Sequence, residues 1–518
     1  MSVQQLGGIG DLLIDAIERH GGRTAIEHDG LEFSYDKLGA DVTRTIAYFE
    51  ACGIEQGARI AQIAANSYEM FVVIAAAYIG GYVSLALQYN ADFDDHLYAI
   101  DEIRPTLLFV DGERQHRAAE LAQASSAAFL LCTYAEFASV LANSAEPVAP
   151  LGRFIGRSEP GACARIMLTG GTSGKPKAVM TSSASLTFQA LAHVAANAFD
   201  ADTRMLIASP ISHGGGSFIP PVLAKGGRVV IDSRFRPAEV IGGISGGRLN
   251  TLFLVPTMLY ALMDHPDAGR LKPGQLKRLI YGAAPASPER VRQAMALFGP
   301  VLLQSYGLSE APGTILYLSP EDHQHPDPGR LASAGRPYPG VIARLMADGK
   351  VLPARSGEVG EIVVRAPHVM MGYWNAPELT AEAFEGGWLH TGDLARVDDA
   401  GFFHIVSRLK DMIISGGFNV YACEVEQALE EHGAVAASAV IGIPDPKWGE
   451  AVTAFVVVAD SAEVTEEALI AFVRERKGPI KTPKTVTLLP ELPLTRLGKV
   501  DKNVLRSGHW PGRHRAVN

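Results

Sequence analysis

The chain has 518 residues, of which 47% are hydrophobic and 20% charged, and its formal net charge is −10 at pH 7. This balance is typical of a soluble globular protein, and the length favours two or more domains. The negative net charge argues against a general nucleic-acid-binding protein, because a phosphate backbone requires a broad basic surface. A small anionic ligand needs only a local cationic loop and stays compatible with the composition.

The four cysteines are far apart and include no C-x-x-C pair: Cys52, Cys132, Cys163 and Cys423. We therefore expect neither a metal cluster nor a disulfide framework. The N-terminus lacks a basic segment followed by an apolar run, so we expect no secretory signal and a cytoplasmic location. Residues 70–87 carry no charge and approach the length of a membrane span. Because Gly80-Gly81 interrupts them, we predict a buried helix, a glycine stop and a buried strand, with no integral membrane association.

Short apolar runs alternate with segments of helical period through most of the chain. The predicted strands are at 59–64, 106–110, 165–168, 228–231, 251–255 and 278–281, and a helix is predicted at 287–298. This alternation is typical of α/β architecture with largely parallel sheets. From 340 to 365 the pattern changes to strands joined by tight turns, which predicts a small β-rich subdomain.

A second change of pattern occurs near Arg408. The residues beyond it predict a helix at 422–432, strands at 435–443 and 452–458, and a helix at 466–477 with Thr465 as its N-cap. We therefore predict an N-terminal domain of layered α/β subdomains at 1–408 and a small α+β domain at 409–518. Residues 508–518 are polar or basic, and we expect them to be frayed.

The most informative segment follows a predicted strand and is rich in glycine, hydroxyl groups and lysine. It consists of Thr169, Gly170, Gly171, Thr172, Ser173, Gly174, Lys175, Pro176 and Lys177. Its glycines free backbone N–H groups to turn toward one point, and its lysines add positive charge, as in phosphate-binding loops. It is not a Walker A loop, because Thr169 and Pro176 stand where that motif requires Gly and Ser or Thr. A flexible surface linker is the alternative interpretation.

These residues resemble the acyl- and aryl-CoA synthetase family of the adenylate-forming superfamily. The family's phosphate loop reads T-S-G-T-T-G-x-P-K, and this chain departs from it at Gly170 and Ser173. Seven further blocks follow in the family's order and cover nearly the whole chain: Pro210-Ile211-Ser212-His213-Gly214, Tyr281-Gly282-Ala283-Ala284-Pro285, Gln304-Ser305-Tyr306-Gly307-Leu308-Ser309-Glu310, Thr391-Gly392-Asp393-Leu394, Arg408-Leu409-Lys410-Asp411, Ser415-Gly416-Gly417-Phe418-Asn419 and Pro493-Leu494-Thr495-Arg496-Leu497-Gly498-Lys499-Val500.

The resemblance implies an ATP site and a Mg²⁺ ion. It implies that Glu310 and the Thr169 hydroxyl hold Mg²⁺ on the phosphates, which suits a cation that prefers oxygen ligands. Tyr306 would stack on adenine, and Asp393 and Arg408 would bind the ribose. The full set of implied ATP- and AMP-binding residues is Thr169, Gly170, Gly171, Thr172, Ser173, Gly174, Lys177, Gly282, Ala283, Ala284, Ser305, Tyr306, Gly307, Ser309, Asp393, Ile405 and Arg408.

The resemblance also implies two half-reactions and a mobile C-terminal domain. Lys499 would stabilise the charge that develops as the carboxylate and the α-phosphate join, and would then withdraw. Lys410 would lie at the hinge, where many members of the family have Asp. Gly416 and Gly417 would let the pantetheine arm of coenzyme A pass. Such a rigid-body change presents two faces in turn.

The block around His213 bears on the identity of the acid substrate. The resemblance places His213 beside the substrate carboxylate, where it is the fourth predicted catalytic residue with Lys499, Glu310 and Thr169. No Asp follows this block, which argues against an α-amino acid, and the glycines 214–216 indicate room for a bulky acid or, equally, a backbone turn. The implied acyl pocket consists of His213, Gly214, Gly215, Ser217, Tyr281 and Gly307.

We therefore predict an ATP-dependent carboxylate–CoA ligase whose acid is fatty, aromatic or bulky and cyclic. Its partners would be the acid, ATP and coenzyme A, with a homodimer left open. A ligase that loads a carrier protein is the nearest alternative. A hydrolase is suggested by Gly243-Ile244-Ser245-Gly246-Gly247, but this match follows a predicted helix and precedes a strand, the reverse of a nucleophile elbow. A pure binding protein is the remaining alternative.

Overall fold

The computed structural model describes residues 7–142, 149–169, 176–354, 356–459, 462–494 and 500–510. The chain divides into two compact units. The first unit comprises Met1–Ala343 and Val364–Leu389, and the second comprises Arg344–Val363 and His390–Asn518. The β-rich segment predicted at 340–365 is thus divided between the units, and the boundary predicted at 408/409 stays a prediction.

The helices of the described residues fall into two groups. Those of the first unit are α1 (Ile9–His20), α2 (Tyr35–Ala51), α3 (Tyr68–Gly80), α4 (Phe93–Ile103), α5 (Gln115–Ala124), α6 (Tyr134–Ala142), α7 (Ser183–Asn197), α8 (Ile219–Ala224), α9 (Pro237–Ser245), α10 (Pro256–Met263), α11 (Pro288–Phe298), α12 (Pro320–His323) and α13 (Pro377–Ala383). Those of the second unit are α14 (Ala422–Glu430), α15 (Glu466–Lys481) and α16 (Lys502–Ser507).

The strands are numbered in chain order. They are β1 (Thr24–His28), β2 (Leu31–Ser34), β3 (Arg59–Ile63), β4 (Val83–Leu87), β5 (Leu107–Val110), β6 (Leu130–Thr133), β7 (Cys163–Thr169), β8 (Lys177–Ser182), β9 (Arg204–Ile207), β10 (Arg228–Ile231), β11 (Thr251–Leu254), β12 (Arg278–Gly282), β13 (Leu302–Tyr306), β14 (Leu316–Leu318), β15 (Arg336–Pro337), β16 (Ile342–Ala347), β17 (Lys350–Val351), β18 (Gly360–Arg365), β19 (Gly372–Tyr373), β20 (Leu389–Val397), β21 (Phe403–Arg408), β22 (Ile413–Ser415), β23 (Phe418–Val420), β24 (Val435–Asp445), β25 (Gly449–Val458) and β26 (Thr485–Leu489).

Two sheets form the first unit. The larger has the order β15-β14-β13-β12-β11-β9-β10-β1-β2, and the smaller has the order β19-β8-β7-β4-β3-β5-β6. Most neighbouring strands are parallel, and β2, β8, β14, β15 and β19 join the sheets antiparallel. One buried core includes residues of both sheets, for example Ile26, Ile60, Phe109 and Val229. The predicted α/β class is confirmed.

The second unit contains two further sheets. One has the order β17-β16-β18-β20-β21, and three of its strands run across the boundary between the units. The other has the order β23-β22-β25-β24, with β26 parallel to β25. The helices α14 and α15 and these strands bury a core that includes Val425, Leu429, Val452 and Leu469.

Local sequence patterns predicted several of these elements. The uncharged run 70–87 is the buried helix α3, which is closed by Gly81 in the left-handed conformation and followed by the buried strand β4. In the described residues no helix is long and apolar enough to cross a membrane. The predicted N-cap Thr465 accepts a hydrogen bond from the Ala468 N–H. That helix runs further than predicted, to Lys481 with a kink at Gly478. Residues 511–518 lie outside the described residues.

The serine of the G-x-S-x-G match is the last residue of helix α9, and Gly246 caps that helix. The match therefore lacks the strand-to-helix turn of a nucleophile elbow, in agreement with its rejection as a hydrolase motif.

Candidate functional site

The glycine-rich segment joins two antiparallel strands of the first unit. Thr169 ends β7, Lys177 begins β8, and the two residues are paired across the ladder. A strand follows the segment where a P-loop would have a helix, which agrees with the rejection of a Walker A loop. The segment itself falls outside the described residues, and with it the predicted phosphate-binding residues Gly170, Gly171, Thr172, Ser173 and Gly174.

Glu310, Tyr373 and Lys177 lie together near the end of this hairpin. The Tyr373 hydroxyl donates a 2.8 Å hydrogen bond to Oε1 of Glu310. The Lys177 ammonium lies over the Tyr373 ring, 5.0 Å from its centroid. Burial, and then the adjacent Glu310 carboxylate, raise the pKa of Tyr373, so the phenol stays protonated and remains a donor. The Tyr373 side chain thus contacts both groups, the Lys177 ammonium through its ring and the Glu310 carboxylate through its hydroxyl.

The backbone fixes this arrangement. Strand β19 pairs with β8, so that Tyr373 is opposite Val179, and the Met370 N–H donates a 2.7 Å hydrogen bond to the Glu310 carbonyl oxygen. Both the main chain and the side chain of Glu310 are therefore bound by residues 370–373. Sequence reasoning missed Tyr373, because it belongs to a two-residue strand without a periodic pattern.

The residues present fit a Mg²⁺ ion that is shared with phosphate groups. In the part of the chain that the structure describes, no group of three or more His, Cys, Asp or Glu side chains could hold a metal ion. Mg²⁺ commonly binds through one or two carboxylates together with substrate phosphates and water, not through an all-protein cage. The Glu310 carboxylate and the Thr169 hydroxyl supply oxygen donors of the required kind.

The carboxyl ends of β12 and β13 bring two predicted nucleotide blocks together. Gly282 is paired with Ser305, and a Cβ atom on Gly282 would lie 2.2 Å from the Ser305 carbonyl oxygen. A Cβ atom on Gly307 would lie 2.5 Å from the Gly313 nitrogen. These glycines are thus required by close backbone approach. Since ligand sites in α/β sheets form at the carboxyl ends of strands, this placement suits a bound base.

The remaining residues of these blocks have definite positions. Ala283 has a left-handed φ of +65°, which turns the chain sharply after β12. Ser305 shares a 2.9 Å hydrogen bond with the hydroxyl of Tyr338. Tyr306 is the last residue of β13. The tight turn that follows contains Ser309, and the Leu308 N–H donates a hydrogen bond to the Ala311 carbonyl oxygen across it.

Tyr281 does not join the residues predicted for the acyl pocket. Its side chain is fully buried, and its hydroxyl lies 2.9 Å from Nε2 of His323. It packs in the core between the larger sheet and helices α9–α11, whereas its neighbour Ile280 faces the core shared with the smaller sheet. The prediction that its side chain lines the pocket is therefore not supported.

The His213 block forms a compact turn. Oγ of Ser212 lies 2.9 Å from Nδ1 of His213, and the Ser217 hydroxyl donates to the Gly214 carbonyl oxygen at 2.6 Å. Cβ atoms on Gly215 and Gly216 would lie 2.5 Å and 2.1 Å from the carbonyl oxygens of Ser209 and Ile211. Of the two interpretations of these glycines, the backbone turn holds for Gly215 and Gly216. Gly214 differs, because its nearest neighbour is the Phe253 ring at 3.3 Å.

A cavity of about 570 Å³, open solvent at its mouth included, adjoins this block. Its lining includes Ser212, Gly216 and Ser217, and side chains of α3, α7, β4 and β7 complete it. Most of these side chains are apolar, for example Phe71 and Leu186. Apolar side chains together with a few polar groups are typical of binding sites for small molecules.

The second unit carries the predicted ribose-binding residues on two paired strands. Asp393 of β20 is opposite Arg408 of β21, and Nε of Arg408 lies 3.3 Å from Oδ1 of Asp393. The Asp393 side chain is buried, whereas Arg408 is exposed. The preceding Gly392 has a φ of +71°, and its N–H donates to Glu361 at 2.8 Å. Ile405 also lies on β21, opposite Ala395.

Lys410 and the glycine pair lie further along the second unit. Burial lowers the pKa of Lys410, which lies in the short turn Leu409–Asp411 after β21. Gly416 and Gly417 form the two-residue turn between β22 and β23, with φ of +60° and +81°. Two successive positive φ values are typical of a type I′ hairpin turn, which accounts for both glycines locally. A Cβ atom on Gly416 would lie 2.9 Å from the Trp448 ring, whereas one on Gly417 would meet nothing within 4 Å.

Lys499 lies outside the described residues, but the two ends of its segment are placed. Leu494 and Val500 form an antiparallel bridge, and the Asp501 N–H donates to the Pro493 carbonyl oxygen at 2.7 Å. Helix α16 follows and is bound by a 2.6 Å ion pair between Arg506 and Asp411. The residues that flank the segment 495–499 on either side are therefore close together.

Two family models match the chain in order. The AMP-binding enzyme model matches residues 13–374, and the AMP-binding enzyme C-terminal domain model matches residues 424–499. The chain belongs to the AMP-binding enzyme family, as its motifs predict.

Characterised relatives are similar over nearly the whole length. The chain is 38% identical to a medium/long-chain-fatty-acid–CoA ligase, FadD8, of Mycobacterium tuberculosis, over 98% of this chain and 91% of that one. It is 35% identical to a feruloyl-CoA synthase of Amycolatopsis sp, over 93% of this chain and 95% of that one. The solved structure of the amide bond synthetase McbA from Marinactinospora thermotolerans matches with a TM-score of 0.89 at 35% identity, over 96% of this chain and 99% of that one.

Proposed function

We propose that this chain is an ATP-dependent carboxylate–CoA ligase. In the first step a carboxylate oxygen attacks the α-phosphorus of ATP, and pyrophosphate leaves to give an acyl-adenylate. In the second step the sulfur of coenzyme A attacks the acyl carbon, its proton is lost, and AMP leaves. The observation that carries the proposal is the meeting of Lys177, Tyr373 and Glu310 at the end of the glycine-rich hairpin. Family membership supports the class of reaction.

Residues of the first unit would position ATP. Glu310 and Thr169 would hold Mg²⁺, which when bound offsets part of the negative charge of the phosphates. The Tyr373 hydroxyl orients the Glu310 carboxylate, and Lys177 adds a positive charge beside it. The glycine-rich ends of β12 and β13 would receive the adenine, with Tyr306 at the end of β13. The protein thus contributes positioning and electrostatic stabilisation, and no protein nucleophile is required.

Residues of the second unit would act on the sugar and on the reacting groups. The buried Asp393 carboxylate has acceptor capacity for ribose hydroxyls, and the Arg408 guanidinium lies beside it. Lys499 would stabilise the charge that develops during adenylation. The hinge role of Lys410 and the passage of coenzyme A along Gly416 and Gly417 stay predictions.

The acid that we propose has a bulky or extended apolar body. The apolar lining of the cavity beside the His213 block supports this class. The fatty-acid and feruloyl substrates named for the two relatives have such bodies as well. A cytoplasmic location and a homodimer stay predictions, and light scattering of the purified chain tests the dimer.

An assay of both half-reactions tests the function. The purified chain is mixed with ATP, Mg²⁺, coenzyme A and one acid from a panel that includes octanoate, decanoate, ferulate and benzoate. Pyrophosphate, AMP and the acyl-CoA thioester are measured together, and we expect them in equal amounts with at least one acid. If none of the acids leads to release of pyrophosphate or AMP, the proposal is contradicted.

The alternative functions differ from the proposed one in the molecule that accepts the acyl group. The similarity to an amide bond synthetase makes an amine acceptor the second candidate, and a carrier protein is the third. All three share the adenylation step and differ in what attacks the acyl-adenylate. If pyrophosphate is released but no thioester accumulates with coenzyme A, the same reaction is repeated with a primary amine and with a phosphopantetheinylated carrier protein, and the product identifies the acceptor.

A further inference from the structure

The cavity beside the His213 block has a cationic side chain in its wall. Arg165 of β7 lines it together with Tyr78 of α3, Ser84 of β4 and Gln189 of α7. Ser84 is paired with Arg165 across the parallel β4–β7 ladder. The other lining is mostly apolar, so that Arg165 contributes the positive charge of an otherwise neutral wall.

The guanidinium of Arg165 is not neutralised by the part of the chain that the structure describes. Its Nε and Nη2 atoms are sealed from solvent and have no hydrogen-bond partner among the described residues. The titratable groups that interact with it are Tyr78 and Cys163, which are uncharged at neutral pH because burial raises the pKa of both. No described carboxylate lies within ion-pair distance of Arg165.

Arg165 is half-buried as a residue, but two of its guanidinium nitrogens are enclosed without a hydrogen-bond acceptor among the described residues. Enclosed donors without an acceptor are unfavourable in the free protein. Arginine stays charged at neutral pH even when burial lowers its pKa. A bound anion that enters the cavity would supply the missing charge and accept two hydrogen bonds from the guanidinium fork.

The position of Arg165 on β7 gives its distance from Thr169, which we propose lies at the reaction centre. Arg165 and Thr169 are four residues apart in a regular stretch of β7, so their side chains lie on the same face of the strand. At about 3.3 Å per residue the separation along the strand is about 13 Å. An acid whose reacting carboxylate lies near Thr169 and His213 would therefore extend its far end toward Arg165.

We propose that the cavity binds the distal end of the acid substrate, and that Arg165 pairs with a second carboxylate at that end. The preferred acid is then an extended dicarboxylate with an apolar span between its two carboxylates. The apolar part of the lining, such as Phe71 and Leu186, would contact that span. This inference rests on the proposed function, which names one carboxylate as the reacting group.

A comparison of matched acids tests the inference. Suberate, its monomethyl ester and octanoate share one chain length and differ only at the far end. The value of kcat/KM from pyrophosphate release is measured for each acid with the wild-type chain and with Arg165→Met. We expect wild type to prefer suberate, and Arg165→Met to lose on the order of ten- to a hundredfold on suberate while octanoate is unchanged or improved.

Binding measured without ATP separates recognition from chemistry. Suberate should raise the melting temperature of the wild-type chain and not that of Arg165→Met, because a ligand stabilises the folded state that binds it. Arg165→Lys keeps the positive charge but loses the planar guanidinium, which can donate two parallel hydrogen bonds. It should give a melting-temperature shift between those of the wild-type chain and Arg165→Met. Arg234→Met removes a charge from an exposed arginine and serves as the matched control, with no expected effect on either measurement.

Several results would overturn the inference. Equal effects of Arg165→Met on all three acids would mean that the cavity holds only water around the guanidinium. Monomethyl suberate performing as well as suberate would show that a neutral acceptor suffices. If no acid releases pyrophosphate, the proposed function fails instead, and the melting-temperature shift with suberate still decides whether Arg165 binds a carboxylate.

Discussion

The hydroxyl of Tyr373 donates a 2.8 Å hydrogen bond to the carboxylate of Glu310 across 63 residues of sequence. The same phenol ring supports the Lys177 ammonium on its face. Tyr373 therefore fixes the carboxylate proposed to hold Mg²⁺ and the cation at the end of the phosphate segment. These contacts suit a residue that positions the two groups.

Replacing Tyr373 by Phe should raise the Mg²⁺ requirement of adenylation. The ring remains for Lys177, but the carboxylate loses the donor that orients it. Changes of this kind next to a metal ligand typically cost about ten- to a hundredfold in metal affinity or activity. Pyrophosphate release measured against Mg²⁺ concentration should give a higher apparent Mg²⁺ constant and a lower kcat/KM.

Tyr89→Phe is the matched control for this prediction. The Tyr89 hydroxyl donates to Glu113 at 2.7 Å, and the Arg114 guanidinium lies 4.5 Å from the Tyr89 ring centroid, which is the same chemical arrangement on residues that contact neither Glu310 nor Lys177 in these pairs. We expect this variant to behave as wild type. An identical Mg²⁺ dependence of Tyr373→Phe and Tyr89→Phe would argue against a positioning role for Tyr373.

Gly282→Ala should destabilise the carboxyl ends of β12 and β13. The added Cβ atom would lie 2.2 Å from the Ser305 carbonyl oxygen, so the two strands must separate. Overpacking of this kind costs about 1–3 kcal/mol. We expect a lower free energy of unfolding in urea titrations together with a higher KM for ATP.

Gly242→Ala provides the contrast. Gly242 is inside helix α9, and a Cβ atom there would meet nothing within 4 Å. Alanine is a better helix former than glycine, so the free energy of unfolding should increase by about 0.5–1 kcal/mol. Equal stability losses in both variants would contradict the close-approach argument.

The sequence predicted features that depend on neighbouring residues. The stop at Gly81 and the cap at Thr465 follow from local chemistry, and the strand that precedes Gly282 follows from an apolar run. Tyr281 was assigned to the wrong environment because β12 is buried on both faces. A strand of that kind has no alternating pattern to tell which side chain faces which core.

Features that depend on distant contacts could not be predicted in the same way. Tyr373 contacts Glu310 only because β19 adds to the edge of the smaller sheet, and two residues are too few to predict a strand. Arg165 lies on a strand that was predicted, but its unpaired state depends on which side chains surround it from α3 and α7. The feature of Arg165 that the sequence does show is a charged residue within an apolar strand.

Lys499→Ala should abolish most of the first half-reaction and spare the second. The loss of one stabilising contact to a developing charge typically costs on the order of a hundred- to a thousandfold in rate. Formation of acyl-adenylate from acid and ATP should fall by that factor, whereas thioester formation from a synthetic acyl-adenylate and coenzyme A should continue. Both rates are measured by single-turnover quench.

The control for Lys499 is Lys350→Ala, which removes an exposed lysine from β17 of the same unit. It should leave both half-reactions unchanged. If Lys499→Ala slowed the two half-reactions equally, the residue would act in the fold or in substrate binding, and its assignment to adenylation would be wrong.

Buried histidines should make the folded chain sensitive to acid. Burial lowers the pKa of His193 and of His368 from 6.5 to about 3, and both side chains are almost completely enclosed. Between these values the unfolded chain binds protons that the folded chain does not. The free energy of unfolding should therefore be fully retained above pH 6.5 and decrease as the pH falls below it, by up to about 1.4 kcal/mol per pH unit for each histidine.

His368→Phe isolates one of these contributions. The new ring can keep the stacking on Phe188, whose centroid lies 5.3 Å from that of His368, and it does not titrate. Urea unfolding between about pH 7.5 and 5.5 should show a slope reduced by up to one proton relative to wild type, because one protonation of the unfolded chain is lost. His116→Gln, at an exposed position, should keep the wild-type slope. Parallel curves for His368→Phe and wild type would mean that His368 is protonated in the folded chain at these pH values, and that water reaches its ring.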